Sequence, residues 1–438
     1  MQNFHVTGGK ELSGTITVNS SKNAAVALLA ASVMNHGTTT LKNVPQIEEV
    51  NRWIELLESI GVQVVRGEGK NERTLTIKPP RKLKLDQMNK QAAKKTRSAI
   101  LLMGALARDY KSFDIPQAGG CRLGARSVQP HIDALATFGL EIKATAQAFA
   151  VTRTKPLKSP GRFALGESGD TVTENAIIAA AQTPGVTEIR FASANYMVQD
   201  LCFFLVKCGV KIEGIGTTTL RVHGVGTIKK DVIYEISEDP IEAMFFIALA
   251  ISTNSELTIE RCPYDFIELE LTKLRAMGLD VEISPFYKAR NKRTDLVDLK
   301  IAKSKLVALS DKIEERPFPG INMDNLPFFA VIATRAKGKT LLHDWAYETR
   351  PVYFTELNRL GAKVRLLDQH RIQITGPTKL KPVSMSCPPA LRPGAVLLVA
   401  MLAASGKSTL RNVYMINRGY ENLAQRLQAL GADIEMSS

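Results

Sequence analysis

The sequence predicts an α/β chain of six repeated α/β units of about 70 residues, three per domain, with helices inside and sheets outside. Three observations predict it. A glycine recurs between an amphipathic stretch and an alternating, strand-like tail. An alanine-rich apolar stretch recurs ahead of each amphipathic one. The composition, 45% hydrophobic and 23% charged over 438 residues, is that of a globular protein large enough for two or three cores.

The glycine signal reads "WIELLESIGVQVV", "HIDALATFGLEI", "LCFFLVKCGVKI", "LTKLRAMGLDVEI", "FTELNRLGAKVRL" and "LAQRLQALGADIEM". Its glycines are 61, 139, 209, 278, 361 and 431, spaced 69 to 83 residues apart. A helix C-terminus that turns into the left-handed region selects glycine, because a Cβ is penalised there. The alternation that follows predicts a strand with one buried face.

The alanine-rich signal reads "ALLAASVMNHGTTTLKNV", "AILLMGALARDYKSFDIP", "AIIAAAQTPGVTEIRFAS", "FFIALAISTNSELTIERC", "FFAVIATRAKGKTLLHDW" and "LLVAMLAASGKSTLRNV". These stretches are apolar on all sides, whereas those before the glycines are apolar on one stripe, so the former belong inside. Six units divide into three plus three near "DVIYEISEDPIEA" (231–243), which makes two similar domains with a ligand cleft between them. A single continuous array is the alternative.

The net charge of +14 calls for an anionic partner. The charge is spread, and its densest cluster, "KARNKR" at 288–293, reads as a solvated hairpin or loop. No nucleic-acid-binding signature is present. No apolar run reaches the about 18 residues of a membrane span, and "AMFFIALAIS" (243–252) reads as a buried helix. The N-terminal stretch has no signal-peptide pattern. Five irregularly spaced cysteines form neither a disulfide framework nor a zinc motif, so a soluble, cytoplasmic protein with reduced thiols is expected.

Charged residues gather where the units join. Lys22 and Asn23 stand directly before the first apolar helix, with Ser20 and Ser21 available as caps. A lysine at the positive end of a helix is relieved by an anion; an exposed loop lysine is the other reading. Arg97, Arg350, Arg392 and Arg418 occupy matching junctions, and guanidinium forks suit phosphate and carboxylate. They predict cations converging on small, multiply anionic substrates. Asp324 sits at the junction of the fifth unit as a general base, as a helix cap, or as both.

Cys121 follows Gly119-Gly120 and precedes Arg122 and Arg126 in "QAGGCRLGARSVQPH". Nearby cations favour thiolate, so Cys121 is either a reactive thiol or a small filler in a turn. His131, ten residues on, reads as a helix residue and not as a dyad partner.

"SKNAAVALLAA", "TRSAILLMGALA", "GGCRLGARSVQPHIDAL" and "INRGYENLAQRLQALGADIE" carry a resemblance that spans nearly the whole chain. In these stretches the sequence resembles the enolpyruvyl transferases, and more the branch acting on UDP-N-acetylglucosamine than the branch acting on shikimate 3-phosphate. The resemblance implies a two-domain inside-out α/β barrel: residues 22–235 with the cysteine loop, and 1–21 plus 236–438, with the active site in the interdomain cleft. It implies transfer of enolpyruvate from phosphoenolpyruvate to the 3′-hydroxyl of UDP-N-acetylglucosamine, with release of phosphate, as the first committed step towards the peptidoglycan precursor. Cys121 would protonate the methylene carbon, could form an adduct with it, and would be alkylated by fosfomycin. Asp324 would take the proton of the attacking hydroxyl, with Lys22 and Arg392 completing the catalytic set. Lys22, Asn23, Arg126 and Arg418 would bind phosphoenolpyruvate. Asn23, Arg97, Arg126, Ser127, Val128, Gln129, Asp324 and Ala346 would bind the nucleotide sugar. No metal or organic cofactor, no nucleic acid and no membrane insertion is expected, and a monomer suffices.

Three segments depart from the family. "ANYMVQD" replaces a usual "EPE", putting Asn195 and Met197 where glutamates are usual. "LGESGDT" replaces "KVSVGAT", putting Leu165 for lysine and Glu167 for serine. "ALR" replaces "DLR", putting Ala390 for aspartate. The donor side is left nearly intact and the acceptor side altered. The alternatives are therefore a different acceptor, such as another nucleotide or shikimate 3-phosphate, or a non-catalytic nucleotide-sugar-binding paralogue.

Overall fold

A computed structural model describes every residue except Met1, Ala118, Gly120, Cys121, Arg122, Ala125, Arg126 and Ser438. The chain forms two compact units. One consists of Ser20–Gly120 and Ser127–Ser237, the other of Met1–Asn19, Cys121–Arg126 and Glu238–Ser438. The fold is mixed α/β, and the strands of the described residues form six sheets.

In the Ser20–Ser237 unit, one sheet has the order Val232–Glu235, Thr39–Lys42, Leu75–Lys78, Gln63–Arg66, and its first pair is parallel. A second is the antiparallel set Ser112–Pro116, Ala148–Arg153, Leu140–Ala144. The third runs Lys211–Glu213, Thr219–Gly224, Gly185–Arg190, Arg162–Ala164, the last pair parallel. Helix Lys22–Ser32 is buried from Ala24 to Ser32, and helix Asp170–Ala181 from Val172 to Ala181. Helix Tyr196–Lys207 packs against both. Helix Glu48–Ser59 instead buries one stripe, led by Val50, Trp53 and Leu57.

In the Glu238–Ser438 unit, Asn3–Gly8 lies between Gly406–Arg411 and Asp433–Ser437. Ser13–Thr17 pairs in parallel with Glu256–Pro263. Gly338–His343 and Arg371–Gly376 centre the remaining sheet. Helices Pro240–Thr253, Leu326–Ala333 and Leu391–Ala403 pack on one another and are buried almost throughout. Phe245 joins them, meeting Phe328 edge-on at 6.0 Å and Tyr420 at 5.0 Å. Each such side chain contributes about 1.5–3 kcal/mol by leaving water. Tyr287–Lys288 pairs with Asp295–Ile301, so the basic 288–293 stretch is a hairpin end, as its composition predicts.

The glycines 61, 139, 209, 278, 361 and 431 all have φ between +85° and +105°, at or just past a helix end. At Gly61 and Gly209 the bonds show why. Gly61 N donates to Glu58 O and Val62 N to Leu57 O; Gly209 and Val210 repeat this on Val206 and Leu205. One apolar stretch departs from expectation. "AILLMGALA" is not one long helix but a 3₁₀ turn, Arg97–Leu101, running into a short helix, Leu102–Ala105. Gly104 there presses on Asn175: its N–H donates to Asn175 Oδ1 at 3.1 Å, and an added Cβ would lie 2.8 Å from that oxygen.

Candidate active site

The sequence-predicted residues fall into two sets, one on each unit. In the Glu238–Ser438 unit, Asp324 lies just before helix Leu326–Ala333. The cap position belongs to Asn325, so Asp324 is not the cap. Its carboxylate instead accepts from Arg392 Nη2 at Oδ2, 3.1 Å away, with the aspartate about one-quarter exposed and Arg392 buried. Arg392 Nη1 donates to Tyr420 Oη at 3.1 Å, and burial pushes that phenol upward in pKa. Arg418 is buried at the end of helix Tyr414–Asn417, where a cation suits the negative helix terminus. Ala390 occupies the N-cap of helix Leu391–Ala403 and has no side-chain oxygen to cap it.

The backbone of Asp324 is tied down from two directions. Glu270, buried on helix Glu268–Ala276, accepts through Oε1 from Asn322 N (3.1 Å) and Asn325 Nδ2 (2.8 Å). Asn322 Oδ1 accepts from Asp324 N at 2.9 Å. Arg350 Nη1 donates to Met323 O at 2.6 Å.

Arg350 corrects the expectation of a substrate-binding cation. Its side chain is 1% exposed; Nε donates to Asp344 Oδ2, and Nη2 lies 3.9 Å from Glu315 Oε1. Burial and the Asp344 charge raise Glu315 to a pKa of about 8. One guanidinium cannot balance two buried carboxylates, so one keeps its proton. Ala346 belongs to this cluster: its N–H donates to Glu315 Oε1 at 2.7 Å, leaving only its carbonyl for another partner.

In the Ser20–Ser237 unit, Ser21 caps helix Lys22–Ser32, accepting from Ala24 N at 3.1 Å. Lys22 and Asn23 open the helix half-buried, and Asn23 Nδ2 donates to Tyr196 Oη at 3.0 Å. Arg97 Nη2 donates to Ser127 O at 3.3 Å, which brings together the 97 and 127–129 segments. Ser127 Oγ accepts from Gln129 N at 3.0 Å, and Val128 O accepts from His131 N. His131 is a buried helix residue: Nδ1 accepts from Asn175 Nδ2 at 3.0 Å, and burial with Arg97 lowers its pKa to about 3.

The altered segments meet here. Asp170 Oδ1 accepts from Ser193 Oγ at 2.6 Å and Oδ2 from Asn195 Nδ2 at 3.2 Å. Asn195 Oδ1 caps the next helix by accepting from Tyr196 N at 2.9 Å. Leu165 and Met197 are buried and Glu167 is exposed.

Cys121 and Arg126 lie outside the described residues. Burial raises the pKa of Cys202, Cys208 and Cys262, that of Cys208 to about 12, which disfavours thiolate at those positions. Among the described residues no group of three or more His, Cys, Asp or Glu could hold a metal ion, and no helix is long and apolar enough to cross a membrane.

Residues 6–427 match the family model described as EPSP synthase (3-phosphoshikimate 1-carboxyvinyltransferase). The chain belongs to the EPSP synthase family of enolpyruvyl transferases. Within this family it is 33% identical to a UDP-N-acetylglucosamine 1-carboxyvinyltransferase from Bradyrhizobium diazoefficiens, over 99% of this chain and 97% of that one. It is 33% identical to a protein of the same name from Treponema denticola, over 100% and 99%. In fold it is similar to the enolpyruvyl transferase NikO from Streptomyces tendae: TM-score 0.83, 22% identity, 100% of this chain and 99% of that one. EPSP synthase from Acinetobacter baumannii shares the fold at a TM-score of 0.74 and 19% identity, with both chains fully covered.

Three residues that bond to the sequence-predicted set or its neighbours, Tyr420, Glu270 and Glu315, were not singled out from the sequence. Tyr420 lies inside the quoted "INRGYENLAQ", where an aromatic two residues from a junction arginine was a usable signal. Glu270 and Glu315 gave none, because acidic residues in polar stretches read as solvated.

Proposed function

We propose that the chain transfers enolpyruvate from phosphoenolpyruvate to the 3′-hydroxyl of UDP-N-acetylglucosamine, with release of phosphate. The reading is carried by the Asp324–Arg392 pair, a partly exposed carboxylate on a buried guanidinium, in a chain matching relatives of that name end to end. Both residue sets serve this one reaction, within an inside-out arrangement of two three-unit domains.

Cys121 supplies a proton to the methylene carbon of phosphoenolpyruvate. Positive charge develops at the adjacent carbon, beside a carboxylate and a phosphate ester. Lys22, Arg126 and Arg418 hold those anions in place, and fixed cations need not reorganise as charge moves. The sugar hydroxyl bonds to the cationic carbon as its proton passes to Asp324. An anion competing for Arg392 releases the Asp324 carboxylate for that role. Phosphate then leaves with the electron pair of its C–O bond and the proton held by Asp324, the Cys121 thiolate takes back a proton from the new methyl group, and the vinyl ether is restored. Asn23, Arg97 and the Ser127–Gln129 segment hold the nucleotide sugar, with the Ala346 carbonyl.

Phosphate release from phosphoenolpyruvate is the test. Release that depends on UDP-N-acetylglucosamine supports the reading. Release only with shikimate 3-phosphate or another nucleotide replaces the acceptor, a second reading motivated by the buried Leu165 where the family usually has a lysine. Nucleotide-sugar binding without turnover points to a paralogue that only binds.

A further inference from the structure

We propose that Tyr196 is a positioning residue for Asn23: its hydroxyl fixes the Asn23 amide towards the acceptor, and the Asp170–Asn195 pair fixes Tyr196. The proposal rests on the functional reading above. Asn23 is half-buried at the start of its helix, so its side chain has room to rotate. Among the described residues, its amide donates to Tyr196 Oη at 3.0 Å. Tyr196 has no such freedom: it is 2% exposed and opens helix Tyr196–Lys207, which packs on the helix that Asn23 opens. A buried phenol that meets the polar end of a neighbouring residue orients it at little entropic cost.

The start of the Tyr196 helix is itself fixed by the two altered segments. In "LGESGDT" Asp170 stands in the alanine column of "KVSVGAT", and Asn195 stands in a glutamate column. The two bond to each other at 3.2 Å. The carboxylate has in effect exchanged places with a neutral side chain. A glutamate at 195 would now bring a second charge against Asp170, which, with burial, already raises the pKa of the buried Glu174. As an amide, Asn195 instead donates to Asp170 while its oxygen caps Tyr196 N. Segments that look like separate losses in sequence are one compensated set, ending on Asn23.

The test is a double-mutant cycle of Tyr196→Phe and Asn23→Ala, read as kcat/KM for UDP-N-acetylglucosamine by phosphate release. Tyr196→Phe keeps the buried ring and removes the hydroxyl that Asn23 Nδ2 donates to, so about a three- to tenfold loss is expected. In the Asn23→Ala background the same change should cost nothing further, a coupling that a purely structural tyrosine would not show. A parallel cycle compares Asp170→Ala, Asn195→Glu and their combination; each single change should lower kcat/KM more than the pair together. Full additivity in the first cycle, or wild-type behaviour of Tyr196→Phe, overturns the proposal alone. A wild-type protein that releases no phosphate with UDP-N-acetylglucosamine overturns the functional reading and this proposal with it.

Discussion

Arg392 Nη2 donates to Asp324 Oδ2 at 3.1 Å, joining residues 68 positions apart at the starts of two buried helices. The bond is asymmetric. Arg392 is enclosed and holds Tyr420 with its other nitrogen, whereas Asp324 keeps an exposed edge. In the proposed reaction that edge is what lets Asp324 reach the sugar hydroxyl as its base.

Asp324→Asn should therefore separate binding from chemistry. The amide oxygen can still accept from Arg392, so packing survives. A neutral amide cannot take the hydroxyl proton, and kcat for phosphate release should fall about 10²–10⁴-fold with little change in KM for phosphoenolpyruvate. Arg392→Lys should also lose activity, because one ammonium lacks the fork that reaches Asp324 and Tyr420 together. Steady-state kinetics with thermal unfolding checks both: activity should drop far more than the unfolding midpoint.

Glu270 should matter to catalysis although it is buried. Removing its carboxylate by Glu270→Leu leaves Asn322 N and Asn325 Nδ2 without their shared acceptor, and Asn322 is what holds Asp324 N. Unsatisfied buried donors cost about 1–3 kcal/mol each, and the Asp324 turn should loosen. Glu270→Gln keeps an acceptor oxygen in the same place. The expected order of kcat is wild type, then Glu270→Gln, then Glu270→Leu, with the last at least tenfold down. Equal kcat values in all three would remove Glu270 from any role in placing Asp324.

Much of this was legible in the sequence, and the gaps have physical reasons. The six glycines were readable because only φ above zero demands glycine so regularly, and the structure gives every one that sign. The buried helices were readable because they lack a polar face. Arg350 was misread because sequence shows a cation at a junction and not the partners brought to it, Asp344 and Glu315. The cap position was missed by one residue because Asp324 and Asn325 are both good capping types; tertiary contact with Arg392 and Glu270 decided how each was used. The link from Asp170 to Asn195 to Tyr196 to Asn23 spans three separated stretches of the sequence and has no periodic trace.

Glu315 should make stability depend on pH. Burial and Asp344 raise its folded pKa to about 8, from 4.5 as the ordinary value. Its contribution is complete below pH 4.5. Between there and about pH 8 the unfolded chain ionises while the folded one keeps its proton, so this contribution falls as pH rises. The slope for a single group is at most about 1.4 kcal/mol per pH unit. Glu315→Gln cannot ionise in either state. Its denaturation midpoint should therefore fall less than that of wild type between about pH 5 and about pH 8, in matched urea titrations. Parallel curves would mean that Glu315 is ionised in the folded protein.

Gly119 should be intolerant of any side chain. Its backbone needs no left-handed angle, so conformation alone would permit alanine. Space does not: a Cβ there would lie 1.7 Å from the carbonyl oxygen of Lys94, which belongs to helix Lys90–Lys95. A backbone carbonyl at a helix end cannot swing aside as a side-chain tip can, so the backbone at Gly119 must move instead. Gly119 stands two residues before Cys121, the proton donor of the proposed reaction, and a shift of about 1 Å in a reacting group can cost about a hundredfold in rate. Gly119→Ala should accordingly lower kcat strongly while leaving the unfolding midpoint within a few degrees, because the buried helices of the unit are untouched. A parallel assay of Cys121 alkylation by an epoxide should slow as well. Wild-type kcat in Gly119→Ala would show that the approach to Lys94 does not set where the thiol acts.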